Sequence, residues 1–305
     1  MSTVYLNGRF LPKSEARISV EDRGFLLADG VYEVAPFYEG VPFHLDRHVA
    51  RLRYSLDAVR IDLDTSDVGD IMRRLISENG LESEDRSIVY VQVTRGAAPR
   101  THWFPETAVE PTVFGQAKAW TRPPDAVWSR GFTAITVPDR RWTRVDIKTT
   151  NLLPNVLAFQ AARDAGVDDA ILVRDGVAIE GAHQNFWAVV GGTVVTHPAT
   201  NLILAGITRG VVLELARAAG MAVAERPIQV EEIGVADELF FTGATGEVRP
   251  CVQVDGKTVG SGRVGPITHE LSRAFLERVE RTKQEAGAEA GQGEGTRKEP
   301  AAIAR

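Results

Sequence analysis

Five two-residue punctuation marks constrain this chain most: Asn7-Gly8, Glu39-Gly40, Asp175-Gly176, Gly191-Gly192 and Asp255-Gly256, each set between apolar runs. Such pairs favour the left-handed backbone of tight hairpins, and hairpins join antiparallel neighbours. The last three argue against a doubly wound parallel sheet. In the first third, VYLNGRFL and VYEVAPFY-EG-VPFHL read as hairpins and SIVYVQVTRG as a strand. Between them LDRHVARLRYSLDAV carries Leu45, Val49, Leu52 and Leu56 at helical spacing, with Asp46 as a candidate cap, and a second helix covers 68–76. Later, GFTAITV, AILV, FWAVV and ELFFT read as strands, and VLAFQAARDAG, TRGVVLELARAAG and 268–280 as helices. The expected class is α+β, mixed rather than layered.

The two prolines of TRPPDAV mark a break. We expect a small N-terminal α/β domain over 1–120, a linker over 121–128, a larger domain over 129–282 and a disordered tail over 283–305, where EAGAEAGQGEGTRKEPAAIAR offers little to bury. With 305 residues, 44% of them hydrophobic, the chain can bury a large core. A net charge of -6 and the lack of a dense basic patch disfavour nucleic acid and anionic membranes. No apolar run matches a bilayer span. The single cysteine, Cys251, cannot form an internal disulfide, which suits a reducing, cytoplasmic setting, and small molecules are the expected ligands. Histidines 44, 48, 197 and 269 lack metal-ligand spacing.

Positive charge is supplied by 29 arginines against six lysines, so Lys148 in DIKTTNLLPNVLA stands out. Lysine can lose its proton and form an imine, and arginine can do neither. The residues alone leave two readings, a reactive amine and a solvated strand-end lysine paired with Asp146. AGITRGVVLELARAAG starts a strongly patterned helix with Gly206, Ile207 and Thr208, an arrangement suited to an anion or to a plain cap. FFTGATGEVRP runs a strand into a glycine-rich loop that is either a second anion cradle or a simple turn.

Taken together, Lys148 in DIKTTNLLPNVLA, Glu180 in IEGAHQNFW, GITR at 206–209 and FFTGATGEVRP resemble, in order and spacing, the fold-type IV pyridoxal-phosphate enzymes. The group includes D-amino-acid transaminases, branched-chain aminotransferases and aminodeoxychorismate lyases, and the resemblance spans roughly residues 3 to 280. It implies a dimer, a small N-terminal domain, a larger barrel-like domain, and pyridoxal 5'-phosphate at their junction. By the same resemblance Lys148 holds the cofactor as an imine and then carries the substrate proton, and Glu180 faces the pyridine nitrogen. Arg51 grips the phosphate together with Ile207 and Thr208, and Leu204 packs on the ring. Relatives often carry a threonine where this chain has Ala244, so the backbone amide is kept and a hydroxyl donor is lost.

Arg100 and His102, in TRGAAPRTHWFP, resemble the carboxylate trap of the D-amino-acid transaminases, which reaches in from the neighbouring subunit and works with a tyrosine matching Tyr32. The residues by themselves read equally as a solvated polar loop. His183 and Gln184 stand where better-known D-transaminases have serines, and His183 is expected beside the site or at an interface rather than in catalysis. The expected activity is transfer of an amino group from a D-amino acid such as D-alanine or D-glutamate to a 2-oxo acid, in two half-reactions through a pyridoxamine form. The alternatives are an (R)-selective amine transaminase, a branched-chain aminotransferase, an aryl-amine-releasing lyase, and a cofactor carrier without turnover.

Overall fold

The computed structural model describes residues 2–294, with the side chains of 289–294 left aside. Its N-terminal part holds β1 (Thr3–Leu6), β2 (Arg9–Pro12), α1 (Arg23–Leu27), β3 (Gly30–Tyr38), β4 (Val41–Pro42), α2 (Leu45–Val59), α3 (Val68–Glu78), β5 (Ser87–Thr94) and β6 (Thr112–Ala119). The strands form one antiparallel sheet in the order β2-β1-β6-β5-β3-β4. Its core is shared with α2 and α3, through Leu52, Leu56, Met72 and Leu75 against Val31, Ala35, Val89 and Val91. Both hairpins turn as expected, with Asn7 and Gly8 at φ 46° and 84° and Glu39 and Gly40 at 48° and 74°. Asp46 is not the cap of α2. That position is taken by His44 in a left-handed conformation with no side-chain cap bond, and Asp46 sits in the first turn.

The second part runs through α4 (Asp125–Arg130), β7 (Phe132–Pro138), α5 (Leu153–Asp164), β8 (Asp169–Arg174), β9 (Val177–Gly181), β10 (Asn185–Val190) and β11 (Thr193–Thr196). It continues with α6 (Ile207–Ala218), β12 (Val223–Glu225), β13 (Ile228–Gln229), α7 (Val230–Ile233), β14 (Glu238–Gly243), β15 (Glu247–Val254), β16 (Lys257–Thr258) and α8 (Pro266–Glu294). The expected linker over 121–128 thus ends inside a helix, because Pro124 serves as the N-cap of α4. Pairing is antiparallel at the three predicted hairpins, but β7 lies parallel to both β8 and β15, and β11 lies parallel to β12. The β7-α5-β8 crossover permits the first of these, since parallel neighbours need a long connection. The strand order β10-β14-β15-β7-β8-β9 closes on itself where Asn185 of β10 pairs with Glu180 of β9, giving a barrel-like sheet with its seam at that pair. The architecture is α+β.

The two parts share apolar packing. Tyr38 and Phe43 of the first enter a cluster with Trp187, Phe240, Leu271, Phe275 and Val279 of the second. Phe43 meets Phe275 edge-on at 5.3 Å. The tail expectation needs correction: α8 runs unbroken past Lys283 to Glu294. An extension of an existing helix needs no new nucleus, and EAGAEA is rich in strong helix formers. Lys283 also bridges Glu39 and Glu280 at 2.6 and 2.9 Å. Residues 295–305, the remainder of the expected tail, lie outside the described residues.

Candidate active site

Lys148 sits on the segment between β7 and α5, docked against the unpaired edge of β3. Tyr32 N–H donates to the Lys148 carbonyl at 2.9 Å, and Thr150 N–H donates to the Gly30 carbonyl at 3.0 Å. Lys148 N–H donates to Ser55 Oγ on α2 at 3.2 Å, so the lysine backbone is pinned from two elements of the N-terminal part. The pairing with Asp146 does not form. That carboxylate is taken by Arg144 at 3.0 and 2.9 Å and by the Tyr54 hydroxyl at 2.5 Å. Lys148 Nζ lies 4.3 Å from the centroid of the Tyr32 ring, a cation–π position, and makes no hydrogen bond among the described residues. Tyr32 in turn stacks on Tyr90 at 5.4 Å. Burial, and then Tyr32, push the Tyr90 phenol up to about 12, and its hydroxyl donates to Gln92 Oε1 at 2.7 Å.

Glu180 is buried at the barrel seam. Its Oε1 accepts from Asn185 Nδ2 at 2.7 Å and from Leu204 N–H at 3.1 Å, and its Oε2 accepts from Arg141 Nη1 at 2.5 Å. A carboxylate offers about four acceptor positions. Among the described residues three are occupied, and the fourth, on Oε2, is open to one more donor. Burial raises the carboxyl above its ordinary value, while Arg141 and the Leu204 amide pull it back.

The cationic side is built around Arg51 on α2. Glu33 of β3, fully buried, accepts from Arg51 Nε at 3.0 Å and from Nη2 at 2.6 Å, and its Oε1 lies 2.9 Å from His48 Nδ1. Burial alone would raise the Glu33 carboxyl, but Arg51 and His48 hold it far below the usual range. Arg51 Nη1 then reaches the Ala205 carbonyl at 3.0 Å, beside the start of α6. Gly206 caps that 12-residue helix, and the amides of Ile207 and Thr208 have no acceptor among the described residues. The Gly243–Gly246 turn between β14 and β15 is similar, since the Ala244 and Thr245 amides donate to no described group. One pair of residues braces both loops: a Cβ on Gly206 would collide with Asn185 Oδ1, and one on Gly246 with Gln184 Oε1.

Leu204 N–H touches Glu180 and its carbonyl accepts from Asn185 Nδ2, so the segment 204–208 spans from the carboxylate to the helix start. A permanent cation, two sets of free amides, a carboxylate with one open acceptor and an amine over an aromatic ring suit a flat, cationic heterocycle carrying a phosphate and an electrophilic carbonyl. Arg100 and His102 are not gathered into this cluster within one chain. Both are exposed on the loop between β5 and β6 and make no hydrogen bond or ion pair among the described residues. The loop is anchored by the Thr101 carbonyl, which accepts from Arg23 Nη1 at 3.1 Å, and by Phe104, whose ring lies 3.8 and 4.6 Å from the Arg95 and Arg60 guanidinium carbons. His183 packs edge-on against Phe159 at 5.0 Å, and buried Gln184 donates from Nε2 to Asp169 at 2.8 Å.

Glu33, Ser55, Arg141 and Asn185 are site residues that the sequence does not mark out by motif. Glu33 carried a signal, a charge on the same strand face as Val31, Ala35 and Phe37. Arg141 lies in PDRRWTRVD, where several arginines are equivalent until the fold selects one. No cluster of three or more potential metal ligands occurs among the described residues, and none of their helices is long and apolar enough to cross a membrane.

Residues 30–254 match the family model described as amino-transferase class IV. The chain is 38% identical over 282 residues to a D-alanine aminotransferase of Staphylococcus haemolyticus, covering 92% of this chain and 99% of that one. It is 40% identical over 275 residues to a D-alanine aminotransferase of Bacillus licheniformis, covering 89% and 95%. Among solved structures, a branched-chain amino acid aminotransferase of Escherichia coli superposes with a TM-score of 0.84 at 26% identity, covering 90% of this chain and 94% of that one. The branched-chain aminotransferase of Thermoproteus uzoniensis, a thermophilic archaeon, with norvaline gives 0.83 at 25% identity, covering 93% and 96%.

Proposed function

The chain belongs to the class IV aminotransferases, enzymes that use pyridoxal 5'-phosphate, and on that premise we propose that it moves the amino group of a D-amino acid, such as D-alanine or D-glutamate, to a 2-oxo acid. The observation that carries the substrate class is the identity of 38–40% over nearly the whole chain to D-alanine aminotransferases, against 25–26% to the branched-chain enzymes. The Arg100-x-His102 pattern agrees with it.

Bound, the cofactor supplies an aldehyde that captures amines and a ring that takes up the electrons released when a Cα–H bond breaks. In this reading Lys148 is the amine that anchors the cofactor and, once displaced by substrate, takes the proton from the substrate Cα. The Lys148 backbone bonds to Tyr32 and Ser55 support that role, because proton transfer needs the amine held at one side of the reacting carbon. Glu180 would offer its open acceptor position to the ring N–H and favour its charged form. Arg51, with the amides of Ile207, Thr208 and Ala244, would hold the phosphate, and Leu204 would lie against the ring. Ala244 lacks the hydroxyl that a threonine would add, a loss of about 1 kcal/mol of phosphate binding.

Tyr32, with Arg100 and His102 reaching into the site of the partner subunit, would hold the substrate carboxylate, which fixes the enantiomer whose hydrogen meets Lys148. A homodimer is therefore part of the proposal. It is supported by apolar side chains left exposed, Trp103 on the trap loop and Leu153, Val156 and Leu157 on α5, at 63, 66, 59 and 60% exposure. A small N-terminal domain over 1–120, a larger domain that starts at α4 and includes α8, and a cytoplasmic setting complete the reading. Cys251 is consistent with that setting, a buried free thiol pushed up to about 12.

Steady-state rates with both enantiomers of alanine, glutamate and leucine, and with 1-phenylethylamine, test the substrate class. The D-amino acids should turn over fastest; rapid use of L-leucine without D-alanine would instead make the chain a branched-chain enzyme. Arg100→Ala should weaken apparent substrate affinity by about 2 kcal/mol or more if that guanidinium holds the carboxylate.

A further inference from the structure

Among the described residues Glu180 Oε2 receives one donor, and that donor is immobilised. Arg141 Nε and Nη2 grip Asp139 at 2.9 and 3.0 Å in a two-point fork, leaving Nη1 to meet Glu180 at 2.5 Å. The Asp139 side chain is fully buried and that of Arg141 nearly so, at 6% exposure. Arg174 closes the row, with Nη2 3.1 Å from Asp139 Oδ2 and 2.8 Å from the Arg141 carbonyl. Charges thus alternate from Glu180 through Arg141 and Asp139 to Arg174. The Glu180 Oε1 positions are filled by Asn185 and Leu204, so Arg141 alone decides which lone pair of Oε2 stays open.

We propose that Arg141 is a positioning residue for the amino-transfer reaction: it keeps the Glu180 carboxylate ionised and aims its one free lone pair at the cofactor ring nitrogen. The inference rests on the cofactor reading above. A buried carboxyl deprived of its cation takes up a proton, since burial disfavours the charged form. A protonated Glu180 would meet the ring N–H with a donor instead of an acceptor. A lysine at 141 supplies charge without the fork, so it cannot serve Asp139 at two points and Glu180 at once.

The test uses the full-length protein in four forms: wild type, Arg141→Met, Glu180→Gln and the double variant. Infrared spectra at neutral pH report protonated carboxyl groups, and titration with pyridoxal phosphate reports cofactor affinity. Arg141→Met should show a protonated-carboxyl band that disappears in the double variant, which separates Glu180 from Asp139. It should weaken cofactor binding by about tenfold or more when Glu180 is present and by much less when it is Gln. No new band, together with an equal loss in both backgrounds, would overturn the proposal and leave Arg141 a structural residue. Should Arg141→Met fail to fold, Arg141→Lys replaces it: the Glu180 midpoint should move toward neutral pH, and an unmoved midpoint overturns the proposal. If wild type itself bound no cofactor, the functional reading would fail while the infrared comparison still reported on Arg141.

Discussion

Glu33 organises the cationic side of the site. Its two oxygens hold both Arg51 and His48, and all three side chains are buried or nearly so. Replacing it with glutamine leaves two basic groups facing a neutral amide, and we expect Glu33→Gln to lose about 3 kcal/mol of stability and to retain cofactor poorly. The sign of its pH dependence follows from the carboxyl being held below its ordinary value of 4.5. The stabilisation is fully present above that value and fades as pH falls through the lower, folded-state one. Urea unfolding of the two proteins should therefore differ most at neutral pH and converge in acid. A constant gap across pH would show that the effect is packing alone. Residue-scale legibility was uneven for a physical reason. Lys148 and Glu180 are conspicuous because their types or settings are unusual in this sequence, whereas Arg141 is one of many arginines and is chosen only by the approach of β9 to the segment after β7.

Among the elements, the start of α6 and the seam between β9 and β10 act together. Gly206 lies so close to Asn185 that no side chain fits, and Asn185 bonds both Glu180 and the Leu204 carbonyl. Gly206→Ala should therefore push Asn185 aside, and cofactor affinity should drop about tenfold or more while the melting temperature falls by only a few degrees. Unchanged affinity would mean that the loop and the seam are independent. The five hairpins were legible because a two-residue turn is a local matter of backbone sign, and all five pairs adopt positive φ. The parallel neighbours of β7 were not, since no short-range pattern records which distant strand completes a barrel. Asp46 illustrates the opposite error, a good cap type displaced because the chain enters α2 through a left-handed His44. The run after Lys283 was misjudged because composition alone ignores the helix already formed before it.

For the whole molecule, the proposed carboxylate trap is distant in role from the chain that carries it. Arg100 and His102 sit exposed, and α5 leaves Leu153, Val156 and Leu157 exposed, an aliphatic face that the proposed homodimer would cover. Charges at Val156 and Leu157, as in Val156→Asp/Leu157→Lys, should shift sedimentation toward the monomer and raise the apparent KM for D-alanine. Retention of pyridoxal phosphate should change much less, because its proposed contacts come from one chain. A variant that stays dimeric with unaltered KM would place the interface elsewhere. Arg100 and His102 resemble a motif, whereas the proposed reach into a partner's site would be a property of an assembly, which a single chain does not display.

The central claim is amino transfer from a D-amino acid by way of Lys148, and it is tested most directly by absorbance of the cofactor-loaded protein without any acceptor present. D-alanine should bleach the visible cofactor band, pyruvate should restore it, and Lys148→Ala should abolish the cycle. Bleaching by L-leucine with no response to D-alanine, or an undiminished cycle in Lys148→Ala, would contradict it.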